Sequence, residues 1–289
     1  MFDKPDLTGK VAIITGSSRG VGKAVALALA EAGCDICVAA KSIEVKPGLP
    51  GSINETKAEI EALGRRAIAV QTNVREDVEI ANMVNKTVEA FGRVDIMVNN
   101  AGALWWKNVE DTPAKRFDLV MDVNARASFL SAQYCLPHMK KNGWGHIINM
   151  SPPIAVEMVP GKVAYCISKF GMTLVAHGLA EEVRSHGIAC NALWPATLIE
   201  SQASINFGLG DRSQWRKADI LSDAVLAIVG HDPKDLTGLA LIDEEILSRV
   251  GVTDWDSYLC EPGGEPIRIV GERAAPRSFG TGSGGAVTP

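Results

Sequence analysis

Aromatic side chains are scarce, 6% of the chain, and only three of them are tyrosines, so a tyrosine held in a motif stands out. No apolar run approaches the roughly 20 residues that a membrane-spanning helix needs, so no membrane span is expected. Neither charge dominates: 29 Lys and Arg face 34 Asp and Glu, a net charge of −5, and the basic residues are scattered. That excludes the basic footprint of a nucleic-acid binder. Met1 to Lys10 have no apolar core of a secretory signal, and Val287-Thr288-Pro289 is no peroxisomal address. The expectation is a cytoplasmic protein.

Metal-ligand spacing is missing as well. Cys34 and Cys37 form a C-x-x-C, but Cys135, Cys166, Cys190 and Cys260 supply no second pair to complete a zinc set. Residues three apart on a strand also point to opposite faces. The five histidines, His138, His146, His177, His186 and His231, show no ligand pattern, so no metal is expected and the thiols read as packing groups.

What is present is a regular alternation. Nearly continuous apolar runs occur at Val11–Thr15, Ile36–Ala40, Ala67–Gln71, Asp95–Val98, His146–Met150, Ile188–Leu193 and Leu239–Ile242, the pattern of parallel strands covered on both faces. Helical patterns lie between them at Val21–Ala32, Asn54–Leu63, Asp77–Phe91, Ala114–Lys141 and Ala164–Ser185. The expected fold class is α/β, a Rossmann-type doubly wound seven-stranded parallel sheet with helices on both faces. One domain is expected over residues 1–271, followed by a Gly-, Ser- and Pro-rich disordered tail at 272–289. Two long loops, Ser42–Gly51 and a substrate loop at about 197–217, leave the carboxyl edge, where ligands bind such a sheet.

The first apolar run ends in Thr15-Gly16-Ser17-Ser18-Arg19-Gly20-Val21-Gly22. Glycines between a strand and a helix let backbone approach a pyrophosphate, and the helix start offers unpaired N–H groups to the anion. Gly16, Ser18, Arg19, Gly20, Val21 and Gly22 are therefore candidate cofactor contacts. A P-loop is excluded, because Ser17 and Ala24 stand where it needs Gly and a hydroxyl residue. The second run ends Ala39-Ala40-Lys41-Ser42 with no carboxylate for ribose hydroxyls, while Arg19 and Lys41 can face a 2′-phosphate. NADP is expected over NAD, with NAD still possible.

Tyr165 and Lys169 sit at i and i+4 of the last helical pattern, so phenol and ammonium share a face. A nearby cation favours the phenolate and lowers the tyrosine pKa, fitting it for proton exchange with an alcohol.

With these motifs the chain resembles the short-chain dehydrogenase/reductase family over about Asp6 to Ile242. The likeness rests on Gly16, Gly20 and Gly22, on Asn99-Asn100-Ala101-Gly102, on Asn124 in Met-Asp-Val-Asn, and on Tyr165 and Lys169. It is closest to the hydroxysteroid-dehydrogenase-like and citronellol-dehydrogenase-like branch, through Ala39–Ser42, Met150–Pro153, Asn191–Pro195 and Ile242–Glu245. The resemblance implies cofactor contacts at Asn100, Ala101 and Gly102 and a ribose contact from Lys169. It also implies a proton-relay water at Asn124, a homotetramer or dimer, and a small hydrophobic alcohol or carbonyl substrate.

Three departures stand out. The family's catalytic serine falls at Pro152, which has no hydroxyl, so Ser151, presented by a bulge, becomes the candidate. Asn73-Val74 replaces the Asp-Val usual near the adenine, and Pro195-Ala196-Thr197 replaces the usual Pro-Gly, leaving Pro195 and Thr197 as candidate carboxamide contacts. Trp105, Trp106, Met158, Val159, Trp194, Ile199, Ile205 and Phe207 are expected either to wall an apolar pocket or to form an interface. The function expected is alcohol–carbonyl interconversion with NAD(P)(H). The alternatives are a terpenoid or long-chain alcohol dehydrogenase and a catalytically weak NADP-binding regulatory scaffold.

Overall fold

The computed structural model describes residues 2–45, 48 and 50–270. The expected tail at 272–289 lies outside the described residues. Seven strands form one all-parallel sheet: β1 (Val11–Thr15), β2 (Asp35–Ala40), β3 (Ala67–Gln71), β4 (Ile96–Asn99), β5 (Gly145–Met150), β6 (Ile188–Trp194) and β7 (Ala240–Ile242). Their order is β3-β2-β1-β4-β5-β6-β7, so the chain reverses direction across the sheet between β1 and β4. That switch point opens a crevice at the carboxyl ends, the place where such sheets hold ligands.

The strands are buried because helices cover both faces. α1 (Gly20–Glu31), α2 (Ile53–Ala62), α8 (Asp219–Val229) and α9 (Asp243–Arg249) enclose one core, around Ile14, Leu29, Ile36, Ile60 and Val225. α3 (Asp77–Phe91), α5 (Ala127–Asn142) and α6 (Val163–Val183) enclose the other, around Ile13, Met83, Met97, Met139 and Ile147. Alternation along β1 sends Ile13 and Ile14 to opposite cores, each with no exposed surface. Full burial of one such side chain contributes roughly 1.5–3 kcal/mol. Cys34 and Cys37 likewise fall in opposite cores, as spacing on a strand requires.

Four local features were not anticipated. The helical pattern Ala114–Lys141 is interrupted: α4 (Ala114–Val120) passes into a π-helical turn at Met121–Arg126 before α5 begins. Periodicity is blind to this one-residue swelling, which marks functional positions. The loop at 197–217 contains a short helix, α7 (Gln202–Asn206), and the helices α8 and α9 flank β7. Residues 267–269 return to the carboxyl edge, where Ile269 N–H donates to the Ala196 carbonyl (2.9 Å) and Leu198 N–H to the Ile267 carbonyl (2.9 Å). Finally, Val163–His186 is long and apolar enough to cross a membrane by length and composition, yet half of its apolar window is buried inside the protein. Its apolarity reflects packing between β6 and its neighbouring helices.

Candidate active site

The glycine turn is built around Asn100. Its side-chain amide donates to the carbonyls of Thr15 (2.9 Å) and Gly16 (3.3 Å), while the Thr15 hydroxyl receives the N–H groups of Asn100 and Ala101 (both 3.1 Å). Gly16 and Gly20 adopt φ of +68° and +54°, a region that side chains disfavour. At Gly22 a Cβ would lie 2.4 Å from the Asn100 amide nitrogen and 2.5 Å from the Gly16 carbonyl oxygen, so only glycine fits. No side chain caps the start of α1 and no acid stands in its first turn. The resulting cradle of backbone N–H groups and positive dipole suits a pyrophosphate. Ser18 is buried beside it.

Arg19 precedes α1, and its guanidinium donates to the carbonyls of Pro50 (2.7 Å) and Gly51 (2.9 Å) and to the Ser42 hydroxyl (3.0 Å). These bonds bring the loop after β2 onto the turn, with Lys41 exposed at its start. After β3, the Asn73 N–H is received by the Glu79 carboxylate (2.7 Å) and Val74 packs into the core. Both lie at the same edge as Arg19. A cavity of about 420 Å³ opens between this edge and α7, lined by Arg19, Gly20, Pro50, Ser201, Ile205 and Lys217.

Tyr165 and Lys169 stand one turn apart on α6, and both are buried. The ammonium donates to the Met150 carbonyl at the end of β5 (2.8 Å), and burial holds it down at about 8. A Cβ on Gly102 would lie 3.6 Å from the Asn124 side-chain Oδ1 and 3.7 Å from the Lys169 Nζ, so these three candidates converge. The Asn124 side chain is fully committed. Its oxygen accepts the Ala103 N–H (2.9 Å), and its nitrogen donates to the Ala103 carbonyl (3.0 Å) and the Ser168 hydroxyl (2.9 Å). The π-helical turn sets this reach. Burial pushes the Tyr165 phenol up, not down. The lysine cation is spent on a carbonyl and itself desolvated, so in this state burial outweighs the charge effect expected from spacing.

Ser151 is fully buried, but its hydroxyl meets Thr173 (3.0 Å) and the Asn149 carbonyl (3.4 Å), not Tyr165. Thr173 also donates to the Pro152 carbonyl (2.7 Å), fixing the diproline turn. Of the expected pocket residues, Trp106 meets Tyr165 edge-on at 6.1 Å between ring centroids and Phe207 at 6.2 Å. The Lys169 nitrogen lies 5.4 Å from the Trp194 ring centre. Trp105 turns away, its indole donating to Thr112 (3.2 Å), and Ile199 belongs to the core. Pro195 lies just after β6, and among the described residues the Thr197 hydroxyl is buried without a partner, as are the indole nitrogens of Trp106 and Trp194. A buried donor left unmet costs roughly 1–3 kcal/mol, so three such donors around one crevice mark where a ligand's acceptors belong.

Sequence reasoning missed Asp243. Its carboxylate receives the N–H groups of Ala196 (2.8 Å) and Glu244 (2.7 Å), tying the segment after β6 to α9, and burial raises it to about 6. Glu244 beside it pairs with Arg216 and Arg268, the latter on the returning C-terminal segment. The acidic run Asp243-Glu244-Glu245 was the available signal.

A parallel sheet in this order, with a glycine cradle at its switch point and Tyr-x-x-x-Lys on the covering helix, defines a class of nucleotide-dependent dehydrogenases. A family model described as short chain dehydrogenase matches residues 10–206, and the chain belongs to that family. It is 43% identical over 263 residues to hydroxysteroid dehydrogenase-like protein 2 of Xenopus tropicalis, covering 89% of this chain and 63% of that one. The chain thus spans under two thirds of that relative's length. It is 40% identical to the crystal structure of a short chain dehydrogenase from Mycobacterium thermoresistibile (TM-score 0.85, covering 91% and 94% of the two chains). A metagenomic short-chain oxidoreductase solved in complex with NADP is 26% identical (TM-score 0.70, covering 82% of this chain and 97% of that chain).

Proposed function

We propose that this oxidoreductase interconverts a secondary or primary alcohol and a carbonyl on a small hydrophobic molecule, using NADP(H). The observation that carries this reading is the buried Tyr165–Lys169 pair on α6, with the Lys169 ammonium beside Gly102 and Asn124 at the switch point. Bound there, the nicotinamide supplies or accepts the hydride. Gly16, Ser18, Gly20, Val21 and Gly22 hold the pyrophosphate, with Asn73, Val74, Asn100, Ala101 and Gly102 along the nucleoside. The buried Thr197 hydroxyl and the backbone at Pro195 take the carboxamide. Arg19 and Lys41, with no acid at the end of β2, favour a 2′-phosphate over a bare ribose. The metagenomic relative's NADP complex supports the same choice.

Tyr165 moves the proton: as phenolate it takes the alcohol proton, and as phenol it gives one back to the carbonyl oxygen. Lys169 holds the charge next to it, and Asn124 positions the segment after Gly102. Alcohol oxidation is expected to rise with pH as the phenol ionises, and carbonyl reduction to fall. Tyr165→Phe is expected to lower kcat at least a thousandfold while NADPH affinity, read by nicotinamide fluorescence, changes less than threefold. A variant that keeps its rate rules out this mechanism.

A second reading has one specific observation behind it: Pro152 at the serine position and a Ser151 hydroxyl turned to Thr173. These favour an NADP-binding regulatory scaffold, which binds NADPH and turns over no alcohol or ketone. The retained Tyr165, Lys169 and Asn124 weigh for the enzyme. Within that class, the exposed apolar Ile205 and Phe207 on the loop at 197–217, which covers the crevice in this reading, fit a terpenoid or long-chain alcohol. The apolar groove along α5 and α6, about 860 Å³ and lined by Phe129, Leu136 and Leu174, supports a homo-oligomer, a dimer or tetramer. Light scattering in solution reads its size.

A further inference from the structure

We propose that the indole N–H of Trp106 takes the place of the missing serine, hydrogen-bonding the substrate oxygen that exchanges its proton with Tyr165. This rests on the alcohol–carbonyl reading above. The serine position carries Pro152, and the neighbouring Ser151 hydroxyl is consumed by Thr173 and Asn149. A carbonyl oxygen that gains charge as hydride arrives needs a donor besides the tyrosine. Four observations single out Trp106. Its ring packs edge-on against the Tyr165 ring, 6.1 Å between centroids. Its Nε1 is buried and finds no acceptor among the described residues. The Lys162 ammonium sits 4.8 Å from its ring centre, drawing density from the indole and making its N–H a stronger donor. Its ring also meets Phe207 of the loop at 197–217, 6.2 Å between centroids, so the indole stands between the phenol and that loop. Trp194, a second buried indole without a partner among the described residues, stands against Lys169 instead.

In the oxidising direction the alcohol C–H bond breaks and its hydride goes to NADP+. The O–H proton passes to the Tyr165 phenolate, and the C=O bond forms. Trp106 gives up no proton; it donates the same hydrogen bond throughout, and that bond shortens in reduction as the oxygen becomes alkoxide-like.

The test is Trp106→Phe, which keeps an aromatic ring against Tyr165 and loses the pyrrole half of the indole with its donor. Reduction of a hydrophobic ketone by NADPH is expected to lose roughly a hundredfold in kcat, the usual scale for one such donor, with NADPH affinity and melting temperature held. Pro152→Ser restores a hydroxyl at the family position. It is expected to raise the rate at least tenfold more in the Trp106→Phe background than in the wild type. In the 15N-labelled NADP+ complex, the Trp106 indole resonance is expected to move downfield when ketone binds. A Trp106→Phe variant at full rate, an equal Pro152→Ser factor in both backgrounds, or an unmoved resonance overturns the proposal alone. A wild type that reduces no ketone defeats the alcohol–carbonyl reading and carries this one down with it.

Discussion

The glycine turn shows how little slack a single position leaves. At Gly22 the neighbours of an added methyl are a carbonyl oxygen and an amide that is itself hydrogen-bonded twice, and neither can retreat. Gly22→Ala is therefore expected to cost about 1–3 kcal/mol of stability, the range for forced overpacking, and to weaken NADPH binding at least tenfold. Thermal melts and fluorescence titration check both. That constraint was legible in the sequence, because glycine spacing between a strand and a helix encodes backbone geometry directly. Arg19 was legible only as a charge. Its three bonds to residues 42, 50 and 51 depend on a loop whose path no local pattern fixes. Ser151 shows the same limit, since a hydroxyl one residue from its expected place is aimed by Thr173, 22 positions away in the chain.

Among the elements, the strands and the helices that cover them followed from apolar runs and their period. The π-helical turn at Met121–Arg126 did not, because one extra residue per turn leaves the apolar pattern nearly unchanged while rotating Asn124 toward Ala103. The C-terminal segment was also illegible: Ile267, Arg268 and Ile269 form no apolar run, and their backbone partners lie 53 to 73 positions upstream. Their backbone bonds to residues 196 and 198, and the bond from Ile267 N–H to the Gln214 carbonyl, fasten both ends of the covering loop. Each such bond is worth roughly 0.5–1.5 kcal/mol. A chain ending at Glu265 is thus expected to bind NADPH several-fold more weakly and to be cut by trypsin within residues 197–217. Its sheet should melt within a few degrees of the full-length protein. An unchanged digest removes the fastening role.

For the molecule as a whole, acid is the expected weak point, and His146 is the reason. It lies fully buried on β5 against Trp144, and burial lowers its pKa to about 3. The unfolded chain protonates near 6.5, so between those values the unfolded state binds more protons and stability falls as pH drops. At about 1.4 kcal/mol per pKa unit the loss reaches a few kcal/mol by pH 3. His146→Leu is expected to leave stability near pH 7 within about 1 kcal/mol and to move the acid-unfolding midpoint down, as circular dichroism against pH will show. The stretch leading up to residue 270 is sewn into the carboxyl edge of the sheet, so a load hung at that point pulls on the edge itself. Anchoring the protein to a surface at residue 270 would strain the crevice at the switch point.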